Sequence, residues 1–270
     1  MRSWDTPAGV SLRLGVQRGR VEVETGDAPR TEVDVTTPGG EPVDPESVRI
    51  DTRELPDGGA EIVVEQRRRR SVLGAGAQLL VRVRCPHGAD VDATTGSADV
   101  ALSGRYGRVA VKTTSGDCVV GAAEGSVRLG TASGDCRVEE ALGPISVSTA
   151  SGDLFVGVAG GPLGASLVSG DVDVRDARSA VSVSTVSGTV DVEACGGGDV
   201  TVRTVSGDVR LGLRAGLALW LDVASVSGTL RSELETGAEP PGRGDHVVEV
   251  RVRTVSGDVT VTRAVALAAS

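Results

Sequence analysis

Aromatic residues are nearly absent from this 270-residue chain: two Trp, one Tyr and one Phe, at Trp4, Trp220, Tyr106 and Phe155. An ordinary globular core leans on aromatic bulk, so a thin interior filled by Val, Ala and Leu is the better expectation. The same scarcity weakens any case for stacking nucleobases or sugars. Lysine occurs once, at Lys112, and the remaining basic residues are all Arg. With 28 Lys+Arg against 37 Asp+Glu the net charge is −9. That balance speaks against nonspecific nucleic-acid binding, which needs a basic face. Four cysteines (Cys85, Cys118, Cys136, Cys195) are too few for a disulfide-framed secreted scaffold. No apolar run opens the chain and none approaches a membrane span. No signal peptide or transmembrane segment is therefore read, and the expected compartment is the cytoplasm.

What the chain has in abundance is rhythm. A short phrase built on Ser-Gly-Asp, usually within Thr-Val-Ser-Gly-Asp-Val, recurs nine times, its glycine at Gly96, Gly116, Gly134, Gly152, Gly170, Gly188, Gly207, Gly228 and Gly257. The intervals are 20, 18, 18, 18, 18, 19, 21 and 29. A fixed short period marks a repeat architecture in which each unit buries its apolar face only by stacking on the next. Two and four residues after most of these glycines stand apolar residues, as in Cys118/Val120, Leu154/Val156 and Val190/Val192. Seven and five residues before stand others, as in Val127/Leu129 and Val181/Val183. Alternation of period two is the half-buried strand signal. Each coil reads as two short strands joined at Ser-Gly, with a second, often Gly-bearing turn about nine residues on. The expected fold is all-β: a single-stranded parallel β-helix or solenoid of about 18 residues per coil and eight or nine coils.

Residues 91–263 hold these repeats. Residues 1–90 lack the phrase but show alternating segments at Val10–Leu14, Arg20–Glu24, Thr31–Thr36, Val48–Thr52, Ala60–Glu65 and Gln78–Arg84. They are expected to form a β-rich cap over one end, since an open solenoid end exposes unpaired edges. Glu233–His246 reads as a Pro/Gly-rich insertion that drapes the other end, and 264–270 as a tail. Val168, Val186, Val205, Val226 and Val255, two residues before the corner glycines, break strict alternation and are expected to turn inward there.

The Thr-x-Ser-Gly-Asp-Val repeats resemble the bacterial putative-adhesin family of β-strand repeats, a domain of unknown function. The lead-in Leu79–Val91, with its Pro86-His87-Gly88 turn, and the opening Trp4-Asp5-Thr6-Pro7 are similar to that family as well. The resemblance implies a single-chain β-solenoid without known catalytic residues.

Candidate chemistry is sparse. Asp117, Asp135, Asp153 and Asp171 hold one place in four successive coils, with Ser115, Ser133, Ser151 and Ser169 nearby. Such a column could offer oxygens to Ca²⁺, which wants six to eight of them. The preferred reading is a corner cap, because a short polar side chain beside a turn bonds local backbone. Cys118 and Cys136 replace Val at inward places and are read as small hydrophobes. Arg67, Arg68, Arg69 and Arg70 form the one dense basic run, a solvated hairpin loop or a docking loop for an acidic partner, nucleic acid or lipid headgroups. Arg243-Gly244-Asp245 is the integrin-recognition tripeptide, a match that this composition makes common by chance. His87 and His246 carry no nucleophile signature. No cofactor is expected. The function read from the sequence is a non-enzymatic scaffold or binding protein, its partner a protein or a cell-envelope component. The alternatives are a self-assembling structural protein of the bactofilin kind and, less favoured, a polysaccharide-active β-helix enzyme.

Overall fold

The computed structural model describes residues 1–7, 9–56, 58–67, 77–234 and 247–264. Among them the regular structure is entirely β-strand, and no helix is long and apolar enough to cross a membrane. The chain divides into two compact units, Met1–Val138 and Glu139–Ser270. Each is a parallel β-solenoid.

The first unit holds β1 (Arg2–Asp5), β2 (Val10–Gly26), β3 (Arg30–Thr36), β4 (Val48–Glu54), β5 (Ala60–Gln66), β6 (Leu79–Pro86), β7 (Ala89–Lys112), β8 (Cys118–Ala123) and β9 (Val127–Ser133). β10 (Cys136–Ala141) begins in this unit and pairs with β8. The long strand β2 is itself a coil, folded at Gly19. One side of it pairs in parallel with β5 and β6 (Val10↔Ala60, Gly19↔Leu79), the other with β7 (Leu12↔Val91, Val21↔Val100). Residues 10–26 are thus slotted between coils that follow them in sequence. Residues 10–26 and the strands paired to them at β5 and β6 lack the Ser-Gly-Asp phrase, though their alternation is plain. Antiparallel strands then cover the outer edges: β4 lies on β5, β3 on β6, and β1 on β3.

The second unit is more regular. Its first ladder contains β11 (Ile145–Ser151), β13 (Leu163–Ser169), β15 (Val181–Ser184), β17 (Val200–Arg203), β19 (Ala218–Ser227) and β21 (Val247–Ser256). Its second contains β12 (Leu154–Ala159), β14 (Val172–Ala177), β16 (Val190–Cys195), β18 (Val209–Leu213), β20 (Leu230–Ser232) and β22 (Val259–Arg263). The registers repeat the sequence period: Ile145↔Leu163↔Val181↔Val200↔Val250 on one side, Leu154↔Val172↔Val190↔Val209↔Val259 on the other. Stack order and chain order part company at the end. β21 lies between β17 and β19, and β22 between β18 and β20. The final coil inserts beneath the one before it, so β19 and β20 make the outermost coil. The long last interval of 29 residues is the sequence trace of this detour.

The inward columns are dry. Val172, Val174, Val190, Val192, Val209, Leu211, Val259 and Val261 are all 0–2% exposed, as are Val181, Val183, Val200, Val202, Val250 and Val252. Each fully buried Val or Leu contributes about 1.5–3 kcal/mol, and in-register stacking sets like on like with no need for aromatic bulk. Tyr106 is the exception: fully buried, with its hydroxyl donating to the carbonyls of Val23 (2.7 Å) and Ser103 (3.0 Å).

Candidate functional site

The corner phrase is a joint between coils. At Gly134, Gly152, Gly170, Gly188, Gly207, Gly228 and Gly257 φ lies between 131° and 154°, a region L side chains rarely adopt. The neighbouring coil closes the space as well: a Cβ on Gly188 would stand 2.1 Å from the Gly170 carbonyl oxygen. Gly96 and Gly116 have no positive φ, but a Cβ there would meet the carbonyl oxygens of Gln17 at 2.6 Å and Ala98 at 2.4 Å. At those two corners contact alone excludes a side chain.

The aspartate that follows glycine faces its backbone neighbour in the adjoining coil. Asp117 Oδ1 accepts the Asp135 N–H at 3.0 Å, Asp153 Oδ1 the Asp171 N–H at 2.8 Å, and Asp171 Oδ1 the Thr189 N–H at 2.7 Å. Asp99 does the same for Asp117, Asp208 for Asp258, and Asp258 for Thr229. The last two bonds follow the stack order, not the chain order. At each of these six places one carboxylate oxygen pins a backbone N–H of the next coil, which is the chemistry that selects Asp over an apolar residue; Thr189 and Thr229 interrupt the column. No group of three or more His, Cys, Asp or Glu is placed to hold a metal ion among the described residues. Asp171→Ala is expected to lower stability by about 1–2 kcal/mol, the loss of one charge-assisted bond, read as a shift in the urea midpoint with an unchanged slope.

The four cysteines are free and buried. Burial pushes the thiols up, to about 11 at Cys136 and about 12 at Cys85 and Cys195, with Cys118 raised as well. Such thiols are poor nucleophiles and poor metal ligands at neutral pH. Arg67 is exposed, and its backbone N–H donates to the Ser47 carbonyl at 2.9 Å. Arg68–Arg70, the Arg243-Gly244-Asp245 tripeptide, His246 and most of the 233–246 insertion lie outside the described residues.

A buried carboxylate escaped the sequence reading. The Asp176 side chain is only 8% exposed and is held by Arg178 (Nε at 2.8 Å) and Arg214. Burial alone would raise its carboxyl; the hydrogen bonds and charges of the two guanidinium groups outweigh that and hold it below the usual carboxylate range. A depressed carboxylate stabilises the fold fully above its unfolded-state value, near 3.9. That contribution drains away as pH falls through the lower folded value. Asp176→Asn should thus cost about 1–3 kcal/mol at pH 7, with the gap to wild type closing in acid. A gap that does not vary with pH would contradict this assignment.

The outward face of the first ladder is an extended surface of the second unit. Its columns run across coils: Gly164, Ser182, Thr201, Arg251, Asp222 in one, and Ser166, Ser184, Arg203, Arg253, Ala224 in the next. Arg253 is tied to Asp222, and Arg251 lies over the Trp220 ring at 5.8 Å. The third column is Val168, Val186, Val205, Val255 and Val226. These valines do not turn inward. They are 55%, 47%, 49%, 49% and 82% exposed. Alternation persists up to the corner, so the preceding residue takes the interior: Leu167, Thr185, Thr204 and Thr254 are each 5% exposed, as is Thr149 before Ala150. The Thr149 and Thr185 hydroxyls donate to the carbonyls of Ser151 and Ser187, both at 3.1 Å. At the Val186 corner the buried threonine is thus satisfied locally, whereas the Thr204 and Thr254 hydroxyls are buried without a hydrogen-bond partner among the described residues.

Residues 165–262 match the Toastrack DUF4097 family. The likeness to a putative-adhesin family, read from the repeats, agrees with it, and the Toastrack stretch carries the valine column from Leu167 and Val168 onward. Two solved structures resemble the chain along most of its length. One, described as a putative adhesin from Bacteroides fragilis NCTC 9343, shares 11% identity at a TM-score of 0.46, covering 96% of this chain and 95% of the other. The second, a putative cell adhesion protein from Clostridium sporogenes ATCC 15579, shares 11% identity at a TM-score of 0.24, covering 97% and 98%. No curated protein matches.

Proposed function

We propose that this chain is a non-enzymatic β-solenoid scaffold that binds a protein partner through the outward face of the Toastrack coils. The observation that carries the reading is the exposed valine column. Five valines about 4.8 Å apart form a stripe roughly 19 Å long, and contiguous exposed apolar surface on a soluble protein marks an interaction site. In the adjoining column lie Arg203 and Arg253, with Arg251 and Trp220 farther along the same face, residue types that dominate binding energy at protein interfaces. Gly164, Ser166, Ser182 and Ser184 keep the part of the face beside Val168 and Val186 small, so a partner reaches that end of the stripe. The corner bonds tie the backbones of neighbouring coils together, so the face is ordered before binding and the entropic cost falls. The names of the resembling proteins are consistent with a binding role.

The test is a pull-down with the immobilised chain and with Val186→Asp/Val205→Asp. Both sites are half exposed, so the double variant should melt within a few degrees of wild type. A protein retained by wild type should be lost by the variant, with its affinity down at least about tenfold. Equal retention by both, or turnover of a polysaccharide by wild type, would overturn the proposal.

A further inference from the structure

We infer that the outermost coil of the second unit, β19 with β20, pairs with the same coil of a second copy to give a closed two-fold dimer. Among the described residues β19 is bonded on one side only, to β21, and β20 on one side only, to β22. The inward positions of this coil are open: Leu221 is 38% and Leu230 50% exposed, whereas Val250, Val252, Val259 and Val261 directly beneath them are 0–2% exposed. The strand Ala-Leu-Trp-Leu-Asp-Val-Ala-Ser-Val-Ser carries no Lys, no Pro and no inward charge, the devices that keep a free edge from pairing. The first unit, by contrast, covers its outer strands with antiparallel partners.

The shape of this end selects the occupant. It presents two strand edges with an apolar row between them. An added peptide strand would satisfy one edge and leave the row wet. A partner must bring two edges at the same separation and its own apolar row, and a second copy of this coil does both. The charges agree. On β20 the outward side chains are Arg231 and then Glu233, whose N–H continues the ladder by donating to the Val261 carbonyl at 3.0 Å. Antiparallel pairing about a two-fold axis through Ser232 sets each Arg231 opposite the other copy's Glu233. An isologous contact uses the same patch on both copies, so assembly stops at two.

The test is sedimentation of the full chain over a concentration series. The expected mass rises from 27.3 kDa to twice that value and no further. Leu221→Glu and Leu230→Glu should each hold it at one chain, with wild-type far-UV dichroism and melting. Arg231→Glu and Glu233→Arg should each weaken the dimer about fivefold to tenfold, and the double exchange should restore it, since two exposed ion pairs are lost and regained. Three results would overturn the inference: a single chain at every concentration, as when residues 235–246 cover the end; a mass growing past two chains; or a dimer these variants leave unchanged. None of them bears on the valine face, which the pull-down tests separately.

Discussion

Gly188→Val is expected to lower stability by more than about 4 kcal/mol, or to prevent folding at 37 °C, because two independent penalties fall on one atom. The residue sits at φ 134°, where a non-glycine side chain costs on the order of 1–3 kcal/mol by itself. Its Cβ would also lie 2.1 Å from the Gly170 carbonyl oxygen and 3.2 Å from Asp171 Oδ1. Relief requires the coils to move apart, and that breaks the Asp171–Thr189 bond together with the Ser169↔Ser187 bridge. Gly188→Ala should lose nearly as much, since the offending atom is Cβ. Ser182→Ala, an outward change in the same coil, should stay within about 0.5 kcal/mol. Urea titration of the three variants is the check, and similar midpoints for Gly188→Ala and Ser182→Ala would rule the corner mechanism out.

Tyr106→Ala comes next, with an expected loss of about 3–5 kcal/mol from an aromatic ring deleted out of a closed interior. The ring lies at 0% exposure in the first unit, and its hydroxyl reaches Val23, 83 residues away in sequence. Tyr106→Phe separates the contributions. It keeps the ring and strips the Val23 and Ser103 carbonyls of their donor, for about 1–2 kcal/mol. If the phenylalanine variant proves as unstable as the alanine one, the hydroxyl carries the site and cavity formation does not.

Much of this architecture was legible because a parallel solenoid writes its register into the chain. An 18-residue interval sets Leu154, Val172 and Val190 in one column, and period-two alternation assigns their inward face. Three features resisted for identifiable reasons. The coil at residues 10–26 carries no Ser-Gly-Asp phrase, so alternation showed strands but not their stacking. The insertion of β21 and β22 beneath β19 and β20 is a long-range choice for which spacing offers only one irregular interval. The valine column resists because hydropathy favours Val indoors, whereas strand alternation persists up to the corner and turns it out; beside Val186, Thr185 satisfies its hydroxyl on Ser187 and so fills the interior at little cost. Asp176 was missed likewise, since its partner Arg214 lies 38 residues away.

The stacked-coil account meets its most direct test in excision of one whole coil. Removing residues 163–180 would bring Ile145 opposite Val181 and Leu154 opposite Val190, partners equivalent to those they have now with Leu163 and Val172. The shortened chain is expected to keep an all-β dichroism spectrum and a single cooperative unfolding transition, because each coil bonds only to its neighbours. Removing residues 163–171 alone should destroy both, since half a coil reverses every strand partner. Unfolding of the eighteen-residue deletion, or survival of the nine-residue one, would contradict the stacked-coil account.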